Sequence, residues 1–126
     1  MTQENKNLLL KDICERLPYG IKCINTNWTK DGYVEVSNVW AKEQKVQIFE
    51  DWVGIEYCKP YLRPMSSMTE EEKQQYWDLC YQDQDDIWGK CRFDKIVDFC
   101  LERHLDYRGL IEKGLAIEAP EGMYDF

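Results

Sequence analysis

The sequence predicts an α+β domain, a small antiparallel sheet packed with about three main helices, with residues 1–126 forming one domain. Three observations carry this. An apolar period of 3.6 residues opens the chain, a period of two replaces it between residues 21 and 57, and the helical period returns from residue 70. Helix, then strands, then helices is the order of an α+β fold.

The first helix is expected over about Lys6–Leu17, where Leu10, Ile13, Cys14 and Leu17 recur at i, i+3, i+4 and i+7. Asn5 or Asn7 can cap its start, and Pro18-Tyr19-Gly20 stops it. Strands follow at Ile21–Thr26, Tyr33–Trp40 and Lys45–Phe49, rich in Val, Ile, Tyr and Trp, with a turn at Lys30-Asp31-Gly32. Val53–Tyr57 continues extended into Lys59-Pro60-Tyr61-Leu62-Arg63-Pro64, whose two prolines forbid a helix and favour an extended surface crossing.

Thr69-Glu70-Glu71-Glu72 is a capping box. Thr69 can accept from the N–H of residue 72, Glu72 can accept from the N–H of Thr69, and three glutamates suit the positive end of the dipole. That helix should reach about Tyr81 and bury Tyr76, Trp77 and Cys80, before the solvated connection Asp83-Gln84-Asp85-Asp86. The last long helix has the best period, with Phe93, Ile96, Val97, Cys100, Leu101 and His104 on one face. Asp106 can then cap a short helical turn that ends at Gly114.

Composition excludes several classes. The chain has 126 residues, 44% hydrophobic and 32% charged, with 24 acidic against 16 basic side chains and a net charge of −8. That is too apolar for a disordered polymer, and no apolar run approaches the roughly 18 residues that span a bilayer. The opening MTQENKNLLLKD does not read as a signal peptide, so a cytoplasmic protein without membrane contact is expected. Residues 1–63 are neutral, with nine basic and nine acidic side chains, so the whole excess of charge falls in residues 64–126.

The six cysteines, Cys14, Cys23, Cys58, Cys80, Cys91 and Cys100, include no CxxC pair, so neither a zinc ribbon nor a thioredoxin-type motif is expected. Reduced structural thiols are expected, with Cys14, Cys80 and Cys100 on the apolar stripes of helices. No cofactor or metal is expected. Asp83, Asp85 and Asp86 alternate like calcium-loop ligands, but Trp88 stands where such a loop needs glycine and Asp94 where it needs glutamate. Gly109 and Gly114 have P-loop spacing, but Leu115 and Ala116 replace Lys and Ser/Thr.

Two long strings resemble a known group of proteins. They are Cys58–Lys73, reading CKPYLRPMSSMTEEEK, and Asp106–Tyr124, reading DYRGLIEKGLAIEAPEGMY. With Leu8–Asp12 and Arg16–Gly20 they resemble a family of small uncharacterised proteins common in gut bacteria and in the prophages they carry. The resemblance implies a phage or mobile-element origin and no particular chemistry. At Arg103-His104 the chain departs from that family's pair of histidines followed by an aromatic residue, which argues against a two-histidine site.

The functional expectation is a non-enzymatic accessory protein acting through protein contacts. Its candidate partner surface is Glu71, Asp83, Asp85, Asp86 and Trp88, an acidic stretch interleaved with aromatics and suited to a basic host or phage protein. Tyr61 and Arg63 complete the candidate set. One alternative is a small enzyme using His104, the only histidine, with Asp106. Another is a weak nucleic-acid face over Lys59–Arg63, where aromatics and cations mix, but a net charge of −8 opposes it.

Overall fold

The computed structural model describes residues 1–26, 33–80 and 92–124. Helix α1 spans Gln3–Arg16 and is capped by Thr2, whose Oγ1 accepts from Asn5 N–H at 3.1 Å. The cap therefore lies three residues before the expected Asn5. The buried face of α1 is Leu9, Leu10 and Ile13, joined by Asp12 and Arg16, and it leaves Cys14 exposed. The expected stripe was one position out of phase: Leu9 takes the inward place assigned to Cys14. A 3-10 turn, Leu17–Tyr19, follows and is closed by Gly20 at φ +76°, a conformation that glycine adopts without penalty.

Among the described residues six strands form one sheet. They are β1 (Lys22–Asn25), β2 (Val34–Trp40), β3 (Lys45–Ile48), β4 (Asp51–Gly54), β5 (Cys58–Leu62) and β6 (Ile117–Glu118), in the order β4-β3-β2-β1-β5-β6. All neighbours are antiparallel except β5 and β6, which run parallel, because a helical excursion separates them in sequence. The expected turn at Lys30-Asp31-Gly32 lies outside the described residues.

The Lys59–Pro64 stretch corrects an expectation. It is no surface crossing: its first part is β5, between β1 and β6, with Cys58, Pro60 and Leu62 buried. Pro60 is tolerated because it lies opposite Cys23 on β1, while β6 pairs only from Tyr61 onward. At Pro60 one side of the strand thus has no ladder to interrupt. Val53–Tyr57 is also not one extended piece, since Ile55–Tyr57 coil into a 3-10 turn that redirects the chain from β4 to β5.

Helix α2 spans Glu70–Cys80 and α3 spans Arg92–Glu102. The α1 side of the sheet holds the main core, Leu9, Leu10 and Ile13 against Ile21, Cys23, Val36, Val46, Ile48, Ile55, Cys58 and Leu62. A second cluster, Phe99, Cys100 and Leu105 with Met65, Met68, Tyr76 and Leu79, packs α3 against α2. Tyr76 is half-buried there, but Trp77, expected inside, is 55% exposed. Among the described residues no helix is long and apolar enough to cross a membrane.

Candidate functional site

The capping box predicted at Thr69 is present in both directions. Thr69 N–H donates to Glu72 Oε1 at 3.0 Å, and Glu72 N–H donates to Thr69 Oγ1 at 3.1 Å. Glu72 does more than cap. Its two oxygens accept from Arg63 Nη1 and Nη2 at 3.0 and 2.7 Å, and Arg103 Nε lies 3.6 Å away. The hydrogen bonds from Arg63 hold the Glu72 carboxyl down to about 2, although burial works against this.

Arg63 is itself fixed by backbone. Its N–H donates to the His104 carbonyl and its carbonyl accepts from Asp106 N–H, both at 2.8 Å, so Arg63 prolongs β5 alongside Leu105. The strand end, the α2 start and the α3 end thereby converge on one carboxylate.

Above this cluster opens a cleft of about 770 Å³, walled by the first turn of α2 on one side and residues 118–122 on the other. The guanidiniums of Arg63 and Arg103 line it but are already engaged with Glu72. The carboxylates of Glu71, Glu118 and Glu121 are exposed on its rim. The balance of charge at the mouth is therefore negative, in an electrostatic setting that attracts cations.

Of the candidate residues, the structure brings together Glu71 and Arg63 in this cleft. Tyr61 is half-buried on β5, and its carbonyl accepts from Tyr124 Oη at 2.8 Å. Asp83, Asp85, Asp86 and Trp88 lie outside the described residues. Glu118 and Glu121 were missed by sequence reasoning, for nothing local signals that they face α2 across about fifty residues of chain.

His104 and Asp106 are committed separately. Asp106 Oδ1 and Oδ2 accept from the N–H groups of Leu110 and Ile111 at 2.8 and 3.0 Å, so it caps the following turn, which Gly114 ends at φ +74°. His104 ends α3 from the left-handed region at φ +55°. Leu105 N–H reaches the Cys100 carbonyl and His104 N–H the Leu101 carbonyl, the double closure typical of a helix C-terminus. The His104 ring stacks on Tyr124 at 4.0 Å, and its Nε2 lies 3.2 Å from the Tyr19 carbonyl. Burial, helped by the charge of Arg16, pushes the imidazole down to about 4, so it is neutral near pH 7. A neutral Nε2–H donating to Tyr19 is a structural role.

Sequence reasoning also missed a buried ion network. Arg16 is wholly buried; its Nε donates to Asp12 Oδ2 at 2.8 Å and its Nη2 to the Leu105 carbonyl at 2.7 Å. Arg108 donates to Asp12 Oδ1 at 2.6 Å and to Glu15 Oε2 at 2.8 Å, while Tyr107 Oη donates to Glu15 Oε2 at 3.1 Å. Burial raises the Glu15 carboxyl, but the hydrogen bond and charge of Arg108 outweigh it and leave the group below its ordinary range. The signal available was Asp12 and Arg16 at i, i+4 on the apolar side of α1.

Comparison with known proteins finds no matching family model, no matching curated protein and no matching solved structure.

Proposed function

We propose that this protein is a non-enzymatic binding module that holds a basic segment of a partner protein against its acidic second half. One observation supports this above the others: the cleft guanidiniums are paired with Glu72, while Glu71, Glu118 and Glu121 remain exposed around them. Cationic side chains entering there meet carboxylates and displace no internal pair. The resemblance to prophage-borne proteins fits an accessory role, with a basic host or phage protein as partner, in the cytoplasm.

The test is binding of an unstructured Lys/Arg-rich peptide, measured by titration at two salt concentrations. Association should weaken as salt rises, on the scale of a Debye length of about 10 Å at 0.1 M. The triple reversal Glu71→Lys, Glu118→Lys, Glu121→Lys should cut affinity about tenfold or more while the fold survives, since all three side chains are exposed. Unchanged binding by that variant would remove the cleft as the contact.

A further inference from the structure

The two edges of the sheet are built differently. At one edge β6 is only two residues long and runs into Ala119 and Pro120, with Ala119 N–H turned inward to the Leu62 carbonyl. Shortness and a proline are ordinary protections against unwanted pairing. At the other edge β4, Asp51-Trp52-Val53-Gly54, has neither proline nor lysine. Among the described residues it pairs on one side only, with β3.

That edge also carries exposed apolar surface. Trp52 lies on the sheet face away from the core, opposite Gln47, and meets Trp40 edge to face at 5.7 Å. The two indoles are 40% and 47% exposed. The two-residue loop Phe49-Glu50 that leads into β4 places Phe49 at φ +58° with 70% of its surface exposed. A bulky residue in the left-handed region is strained where glycine would not be, so this hairpin keeps Phe49 in a backbone conformation that side chains rarely adopt.

Charge selects the occupant. Residues 41–56 contain Glu43, Glu50, Asp51 and Glu56 against Lys42 and Lys45. A second copy of this chain would bring another net charge of −8 to an acidic edge and be repelled. A basic chain would be attracted. We propose that β4 is a docking edge at which an extended segment of a basic partner protein adds a seventh strand, its backbone pairing with β4 and its apolar side chains covering Trp52. This surface lies at the opposite edge of the sheet from the cleft and does not depend on it.

The experiment uses the whole protein and a blocked peptide of alternating lysine and valine, about ten residues long, long enough to lie along a four-residue edge. Residue-resolved amide hydrogen exchange is recorded with and without it. Protection should rise about tenfold or more at residues 51–54, and binding should vanish when alternate backbone nitrogens of the peptide are methylated. Trp52→Lys and, independently, Asp51→Lys should each weaken binding at least about fivefold at exposed positions that leave the fold intact. The proposal is overturned if the peptide does not bind, if a glutamate–valine peptide binds equally, or if protection appears at the first turn of α2 and residues 118–122 instead. Concentration-dependent protection of 51–54 without peptide would overturn it too, by assigning the edge to a second copy.

Discussion

Arg63 and Glu72 face each other fork to fork, two parallel hydrogen bonds of 3.0 and 2.7 Å joining the end of β5 to the first turn of α2. The pair is only slightly exposed, at 13% and 11% of the two side chains. A bidentate guanidinium–carboxylate contact of this kind fixes orientation as well as distance. It sets the angle at which α2 leaves the strand, and hence the width of the cleft.

Thr69→Ala should therefore lower stability by about 1 kcal/mol, the usual worth of a cap. Glu72→Ala should cost more, about 3 kcal/mol, because it also leaves Arg63 largely buried without its carboxylate. Urea midpoints of the two variants check the order; equal midpoints would mean that the ion pair contributes nothing beyond the cap.

The Asp12–Arg16 pair leads to a sharper contrast. Arg16→Ala should destabilise by roughly 3–5 kcal/mol, since Asp12 stays buried and keeps, among the described residues, Arg108 alone as an ion-pair partner. Arg16→Lys should fail nearly as badly, for an ammonium cannot reach both Asp12 and the Leu105 carbonyl in the guanidinium's geometry. The double change Asp12→Leu, Arg16→Met should recover most of the loss. Thermal unfolding of the three variants decides the matter, and a double variant no better than Arg16→Ala would contradict it.

These cases mark what was readable in the chain. The capping box was legible because its two residues are three apart and the chemistry is local. Gly114 and the strands β1 to β3 were legible for the same reason, through turn chemistry and a period of two. Pro60 misled, because its neighbour β6 comes from residues 117–118, and only that distant pairing leaves room for proline in an interior strand. Cys14 misled because α1 buries an ion pair that an apolar count cannot see, which rotates the inward face by one position. The cleft was half legible: Glu71 stood out in an acidic run, whereas Glu118 and Glu121 join it only through tertiary folding.

Acid should unfold the protein in two overlapping stages. The folded His104 resists protonation until about pH 4, against 6.5 ordinarily, so below pH 6.5 the unfolded chain binds a proton that the fold excludes. Glu72 stays ionised to about pH 2, against 4.5 ordinarily, so the unfolded chain again binds more protons between those values. Both depressed groups contribute fully at neutral pH and lose their contribution as pH falls. From His104 alone the loss between pH 7 and pH 4 should be roughly 3 kcal/mol. Urea midpoints across that range check it. In His104→Asn, whose side chain tolerates the left-handed backbone, the upper part of the slope should flatten.

Thiol accessibility gives a fourth prediction. Cys14 should be alkylated in the native protein well before Cys23, Cys58 and Cys100, which are all buried and should react only on unfolding. Reaction at Cys14 should still be slow for an exposed thiol, because partial burial and the neighbouring Glu15 charge raise its pKa. Peptide mapping by mass spectrometry after brief alkylation reads this directly. Early labelling of Cys23 or Cys58 would show that β1 and β5 are not paired as described.

Tyr124 has one more consequence, for the protein's synthesis. Its hydroxyl contacts the backbone of Lys22 and the carbonyl of Tyr61, residues made 102 and 63 positions earlier. The parallel pairing of β6 onto β5 spans a similarly long loop. During translation the first five strands can assemble on α1 while β5 still has an open side, and closure waits for residues 117–124 to emerge. Such long-range contacts make folding slow and leave the nascent chain exposed in the interval. A ribosome stalled after residue 116 should therefore carry a chain that binds chaperone, and one stalled late enough to release Tyr124 should not.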